Sequence, residues 1–104
     1  MISIGEYAFK DCLNLNSIIF GQDSYSETIG YCSFYNCQSL TSVIIPNGVL
    51  SIDSFAFERC SNLTSITISN SVTNVGKDVF YGTSYYQNIN NWDNNVLYIN
   101  NYLI

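Results

Sequence analysis

Charge is scarce in this chain. Only 11% of its 104 residues are charged, less than half of the roughly 25% usual in soluble domains. Three residues are basic, Lys10, Arg59 and Lys77, and the net charge is −5. Nucleic-acid binding needs clustered cations against the phosphates, so no nucleic-acid partner is expected. An anionic membrane surface fails on the same ground. Histidine is absent, which removes the commonest general base and the usual activator of a Ser or Cys nucleophile. No glycine-rich phosphate loop or nucleophile motif occurs. The acidic residues share no repeated position, and they read as solvated surface acids. No catalytic residue, no cofactor and no enzyme activity are expected. No window approaches the roughly 18 consecutive apolar residues of a membrane span, so no membrane insertion is expected. Residues 1–20 also lack the basic start and apolar run of a secretory leader.

Ser, Asn and Tyr fill the polar positions instead, and they do so in a pattern. Residues 8–20 read AFKDCLNLNSIIF, residues 33–45 SFYNCQSLTSVII and residues 56–68 AFERCSNLTSITI. Each copy has a small residue and Phe, then Cys three positions on, then Leu three after the Cys. Ser follows two after the Leu, then a β-branched residue. The units open at Ile4, Ile29, Ile52 and Val75, spaced by 25, 23 and 23 residues. A period in the low twenties predicts a repeat solenoid of small stacked units. The two extra residues of the first unit fall in the polar stretch GQDSYSET, where a loop lengthens at little cost.

Each part of the unit has a physical role. LTSVII and its equivalents are short and β-branched and predict parallel strands. Leu40, Val43 and Ile45 are expected to face inward, beside Leu15, Ile18 and Phe20 in one neighbour and Leu63, Ile66 and Ile68 in the other. Pro46, Asn47 and Gly48 predict a turn, and a second short strand is expected near Leu50 to Ile52. Phe and Cys are expected on a helical or 3₁₀ turn, pointing inside. One unit cannot bury its own apolar side, whereas stacked units give each Phe a Phe above and below.

This pattern resembles the leucine-rich repeats of the BspA-like surface proteins. The resemblance rests on Ile-Gly, Ala-Phe, Cys and Leu-Thr-Ser-Ile/Val-x-Ile over residues 4–83. The tail NWDNNVLYINNYLI is similar to the irregular connector between repeat blocks of that family. Asp53 in place of Gly, Cys32 beside the repeat Phe and Thr83 in place of Cys depart from the pattern. Tyr86 stands where Leu belongs and leaves the strand register of the fourth unit open. We divide the chain into an array of about 3.5 units at 1–83 and a connector at 84–104. The connector is expected to end in a β-hairpin, with an Asn-Asn type I′ turn in VLYI-NN-YLI. Natural arrays end in polar caps, so the chain reads as a segment of a longer protein, or as one whose uncapped ends associate end to end. The resemblance implies a non-catalytic protein-binding module on a cell surface or outside the cell, attaching to host or neighbouring-cell proteins. The alternative is a purely structural spacer that presents another domain.

Cys12, Cys37 and Cys60 hold one repeat position and form a column. Small buried apolar residues are the expected reading. Stacked strands lie about 4.8 Å apart with parallel Cβ vectors, while a disulfide wants a Cβ separation near 3.8 Å, so a bond would need tilt and strain. Zinc fits worse, because a line of thiols is not a tetrahedron; no metal site is expected. Two surfaces remain as binding candidates. On the outward side of the longer strands lie Ser17, Ile19, Ser42, Ile44, Ser65 and Thr67, a neutral and nearly flat face. A column of exposed Ile suggests contact with a partner; strand propensity accounts for it as well. On the turn side lie Tyr7, Tyr31, Tyr35 and Tyr81, which offer rigid amphipathic contact area or partial burial beside the Phe column. One glycosylation sequon, Asn62, Leu63 and Thr64, is present and weak.

Overall fold

The computed structural model describes residues 3–20, 27–93, 96–99 and 102–103. Within them lie β1 (Ser3–Ile4), β2 (Glu27–Ile29), β3 (Ser42–Ile45), β4 (Val49–Ile52), β5 (Ser65–Ile68) and β6 (Asn74–Val75). Helix α1 (Ser84–Gln87), a 3₁₀ turn (Ile89–Asn91), β7 (Trp92–Asp93), β8 (Val96–Ile99) and β9 (Tyr102–Leu103) follow.

The repeat is visible as register. The opening segments form a parallel ladder in the order β1-β2-β4-β6. In it Ile4 pairs with Ile29, Ile29 with Ile52 and Ile52 with Val75. Residues one repeat apart in sequence are therefore neighbours in space. The longer strands β3 and β5 pair in parallel, from Ser42 opposite Ser65 to Ile45 opposite Ile68. Between β3 and β4 the chain turns through Gly48 at φ 100°, a conformation open to Gly without a Cβ penalty. One expectation needs correction here. Residues 17–20 keep the alternation, with Ile19 out and Phe20 in, but they are not paired as a third long strand. They would form the edge, with a neighbour on one side only. The β2–β4 register also shifts between Glu27 and Thr28, just after the polar insertion, most of which lies outside the described residues.

The Phe-Cys segments differ from the helical or 3₁₀ turn read from sequence. Tyr7, Asp11, Cys32, Asn36, Phe55, Arg59, Asp78 and Gly82 all have positive φ. A left-handed residue recurs every four positions and breaks any helix. The peptide groups then alternate. Ala8, Lys10 and Cys12 donate N–H within the turn, to the carbonyls of Gly5, Tyr7 and Phe9. Tyr7, Phe9 and Asp11 donate along the stack, to the carbonyls of Tyr31, Ser33 and Tyr35 at 2.7–2.9 Å. Cys32, Phe34 and Asn36 repeat this onto Ser54, Ala56 and Glu58, and Phe55, Phe57 and Arg59 onto Lys77, Val79 and Tyr81. Sterics at the bend allow only Gly at position 30, where a Cβ would collide with the Ile4 carbonyl oxygen.

The core is one column of rings with aliphatic flanks. Phe9, Phe34, Phe57 and Phe80 stack face to face with centroid spacings of 5.2, 5.2 and 5.6 Å. Leu40, Val43, Ile45, Leu63, Ile66 and Ile68 are buried beside them as the alternation requires. The polar composition has a matching cause. Short side chains reach back one repeat to backbone carbonyls: Ser39 to Leu13, Asn62 to Gln38, Ser69 to Pro46, Ser71 to Val49 and Ser84 to Ser61. Each spans 22 to 26 residues of sequence. Ser, Thr and Asn satisfy such backbone groups without the desolvation cost of a charge.

The fourth unit ends in the connector. Thr83, at the Cys position, caps α1 by accepting the Tyr86 N–H on its hydroxyl at 3.0 Å. Tyr86 therefore lies on a helix and not on a further long strand. Strand β7 pairs antiparallel with β8, and β8 with β9, where Ile99 faces Tyr102. Leu97 and Ile99 are buried, and Ile99 joins the core. The two Asn of the expected hairpin turn lie outside the described residues.

Candidate interaction surfaces

The outward face of β3 and β5 follows from strand alternation, since residues two apart share a face. Ser42 and Ile44 sit opposite Ser65 and Thr67, and all four are exposed. Ile44 keeps 66% of its surface and Ile19 keeps 95%. No charged side chain belongs to this set. The structure divides it, however. Ile44 and Thr67 line a depression of about 410 Å³ with Pro46, Asn47 and Ser69. Ser17 and Ile19 line a different one, also about 410 Å³, with Ile4, Phe9 and Leu15 at the first turn of the stack.

The Tyr-rich side is a set of edge-to-face contacts. Tyr7 meets Tyr31 at 5.6 Å, and Tyr31 meets Phe55 at 5.5 Å. The Lys10 ammonium lies over the rings of Tyr7 and Tyr35 at 5.6 and 5.8 Å. A cation held over ring faces is partly withdrawn from other partners.

The thiol column is engaged in the stack. Cys37 donates its S–H to the Phe9 carbonyl and Cys60 to the Phe34 carbonyl, both at 3.1 Å. All four cysteines are free. The Cys60 thiol is pushed up by its hydrogen bond with Cys37 and by burial. Burial, and then the Glu58 charge, push up Cys32. The same Cys60 hydrogen bond shifts Cys37 the other way, downward, against its burial. Among the described residues, no group of three or more His, Cys, Asp or Glu is placed to hold a metal ion. Among the same residues no helix is long and apolar enough to cross a membrane.

A third feature was not legible in the repeat pattern. Tyr81, Tyr86 and Trp92 gather at the last turn, with Tyr81–Tyr86 at 5.2 Å and Tyr86–Trp92 at 4.9 Å, edge to face. The Trp92 indole N–H donates to the Tyr86 carbonyl at 2.6 Å. The rings line a cavity of about 500 Å³ together with residues 75–80. Its only sequence signal was aromatic residues spaced irregularly in the connector, where no repeat aligned them.

Short parallel strands in register, a ring column and polar side chains bonded one repeat back define a leucine-rich-repeat protein. The family comparison agrees: the BspA-type leucine-rich-repeat region matches residues 1–104, in six copies. The chain belongs to that family, whose repeats are of a type often engaged in surface interactions and typically non-enzymatic. No curated protein and no solved structure matches the chain.

Proposed function

We propose that this chain is a non-catalytic protein-binding module, a short repeat solenoid of about 3.5 units at 1–83 with a connector at 84–104. It belongs to a larger cell-surface adhesin that attaches to host or neighbouring-cell proteins. The binding face is Ser17, Ile19, Ser42, Ile44, Ser65 and Thr67. The observation that carries this reading is the exposure of Ile19 and Ile44, 95% and 66%, on a face with no charge. Exposed β-branched side chains in such an array gain from burial against an apolar protein surface. Without charge there is little long-range steering, so association is slow and weakly salt-dependent. One module offers little area, and strength comes from many copies on one surface.

The test is Ile44→Lys. It changes the centre of the outward face and leaves Val43 and Ile45 in the core. Attachment to a surface-protein ligand is expected to fall at least about tenfold, the scale of losing one buried apolar anchor, with Tm nearly unchanged. If Ile44→Lys binds as the parent does while Tyr31→Ala or Tyr35→Ala does not, the Tyr-rich side is the site. The spacer reading draws on a different observation, the continuous hydrogen-bonded stacking of the turns. It predicts that none of these variants alters attachment by the parent protein. End-to-end association through the first turn is supported by half-exposed Phe9, and Phe9→Asp is expected to abolish any concentration-dependent increase in sedimentation.

A further inference from the structure

The last turn of the stack differs from the others in one respect: its outward-pointing backbone donors find no acceptor. In each earlier turn the N–H groups at the positions of Tyr7 and Phe9, Cys32 and Phe34, and Phe55 and Phe57 donate to the next turn. Asp78 and Phe80 hold those positions in the last one. Among the described residues, neither N–H has a partner. An unpaired backbone donor at a buried residue such as Phe80, 1% exposed, costs as much as a lost hydrogen bond. The connector does not supply the acceptor. It continues the stack at Leu63, whose carbonyl accepts from Tyr85, and it packs β8 on β5. Beside residues 75–81 it leaves the cavity walled by Tyr81, Tyr86 and Trp92.

That cavity combines three kinds of recognition. Its volume, about 500 Å³, lies within the roughly 300–1,000 Å³ of small-ligand sites. Aromatic rings offer flat faces to C–H groups, and Tyr81 is 48% exposed. Asp78 and Phe80 line the cavity; a carboxylate accepts hydroxyl protons, and an unpaired N–H donates to oxygens. A ligand that uses all three is neutral, carries both hydroxyl donors and acceptors, and has an apolar C–H face. We infer that the cleft binds a single saccharide ring, free or at the end of a glycan. A quaternary ammonium would suit the rings but would face two N–H donors. A β-strand would find no carbonyls to bond, because those of Lys77, Val79 and Tyr81 already accept from the preceding turn. The site is separate from the face containing Ile44, so either can fail without the other.

Trp92 is the single tryptophan and reports on the cleft directly. We would titrate the full chain with galactose, mannose and N-acetylglucosamine, and with oligosaccharides ending in each, following Trp92 fluorescence. Choline chloride serves as the cation control. At least one sugar is expected to give a saturable change with Kd of about 1–10 mM, the weak end of the affinity scale. Equal affinity for the free sugar and the oligosaccharide means that one ring fills the site. Tighter oligosaccharide binding means that a glycan end is the natural source. Tyr81→Ala removes an exposed ring. Asp78→Asn removes the carboxylate while keeping a residue tolerant of φ 52°. Each is expected to weaken binding at least about tenfold; Asp78→Asn should leave Tm unchanged, and Tyr81→Ala should lower it by a few degrees through the lost contact with Tyr86; if one fails to fold, the other carries the test. No saturable response to any sugar overturns the inference. So does a response that survives in the folded variants, or saturation by choline in place of sugar.

Discussion

The first and third turns of the stack have similar sequences in different surroundings. AFKDCLNL and AFERCSNL differ at three positions, yet Phe9 is 43% exposed and Phe57 is fully buried. Leu15 and Cys12 are half-buried, while Leu63 and Cys60 are inaccessible. Among the described residues Phe9 stacks on one ring, Phe34, while Phe57 lies between Phe34 and Phe80. The same residue pattern is therefore core or surface according to its neighbours, as expected where each unit is stabilised chiefly by the interfaces on either side.

The largest test of this contrast removes a ring from each place. Phe57→Ala is expected to cost about 3–5 kcal/mol, a large share of a total near 5–15 kcal/mol. It should also blunt the single cooperative transition, because it splits a short array in the middle. Phe9→Ala loses contacts on one face only, and about 1 kcal/mol or less is expected from the smaller area withdrawn from water. Urea unfolding followed by circular dichroism measures both. Equal losses at the two positions would show that the stack does not behave as a row of neighbour interfaces.

Much of this architecture was legible in the sequence because the repeat makes each position report several times. The inward set Leu40, Val43, Ile45, Leu63, Ile66 and Ile68 follows from alternation alone, and the opening residues fall in register because 23-residue spacing stacks them. The turn conformation was not legible. Its left-handed residues are Tyr7, Cys32, Phe55 and Asp78 at one position, and Asp11, Asn36, Arg59 and Gly82 at the other. Half of them, Asp11, Asn36, Asp78 and Gly82, are types that favour positive φ, but Tyr7, Cys32, Phe55 and Arg59 are not, so propensity does not mark the position in every turn; hydrogen bonds along the stack hold those four there. The outward face was read as one surface, yet Ser17 and Ile19 line one depression and Ile44 and Thr67 another, and residues 17–20 do not join the ladder. The cleft at Trp92 was invisible for a different reason. It depends on a connector with no periodicity and on donors that are unpaired only because the next turn is replaced.

The thiol column offers a second, smaller test. Cys12, Cys37 and Cys60 share a repeat position, but only Cys12 retains partial exposure. Reaction requires the thiolate and access, and burial with hydrogen bonding opposes both at Cys60. In native protein, a thiol reagent is expected to modify Cys12 at least about tenfold faster than Cys60, the ratio that a local opening cost of about 1.4 kcal/mol gives. All four cysteines should react at one rate in denaturant. Peptide mass mapping over a time course reads the order. An intact disulfide between column members, or Cys60 reacting first, would show that the middle turn opens more readily than the first.

The smallest expected effect is at Ser33, where a polar atom occupies a place that other turns fill with carbon. The equivalent residues are Ala8, Ala56 and Val79. Ser33 is fully buried and, among the described residues, its hydroxyl has no hydrogen-bond partner. A buried, unsatisfied hydroxyl costs about 1–3 kcal/mol, so Ser33→Ala is expected to stabilise by about 1 kcal/mol after the loss of packing by the oxygen. In a chain of this size that raises Tm by about 4 °C or somewhat more. The reverse change separates the two environments. Ala56→Ser places a hydroxyl in the same closed setting and should lower Tm by a similar amount. Ala8→Ser at the exposed first turn should leave it within a degree, because water satisfies the new group. Should Ser33→Ala lower Tm, the hydroxyl is bonded in solution and the middle turn is less closed than its burial implies.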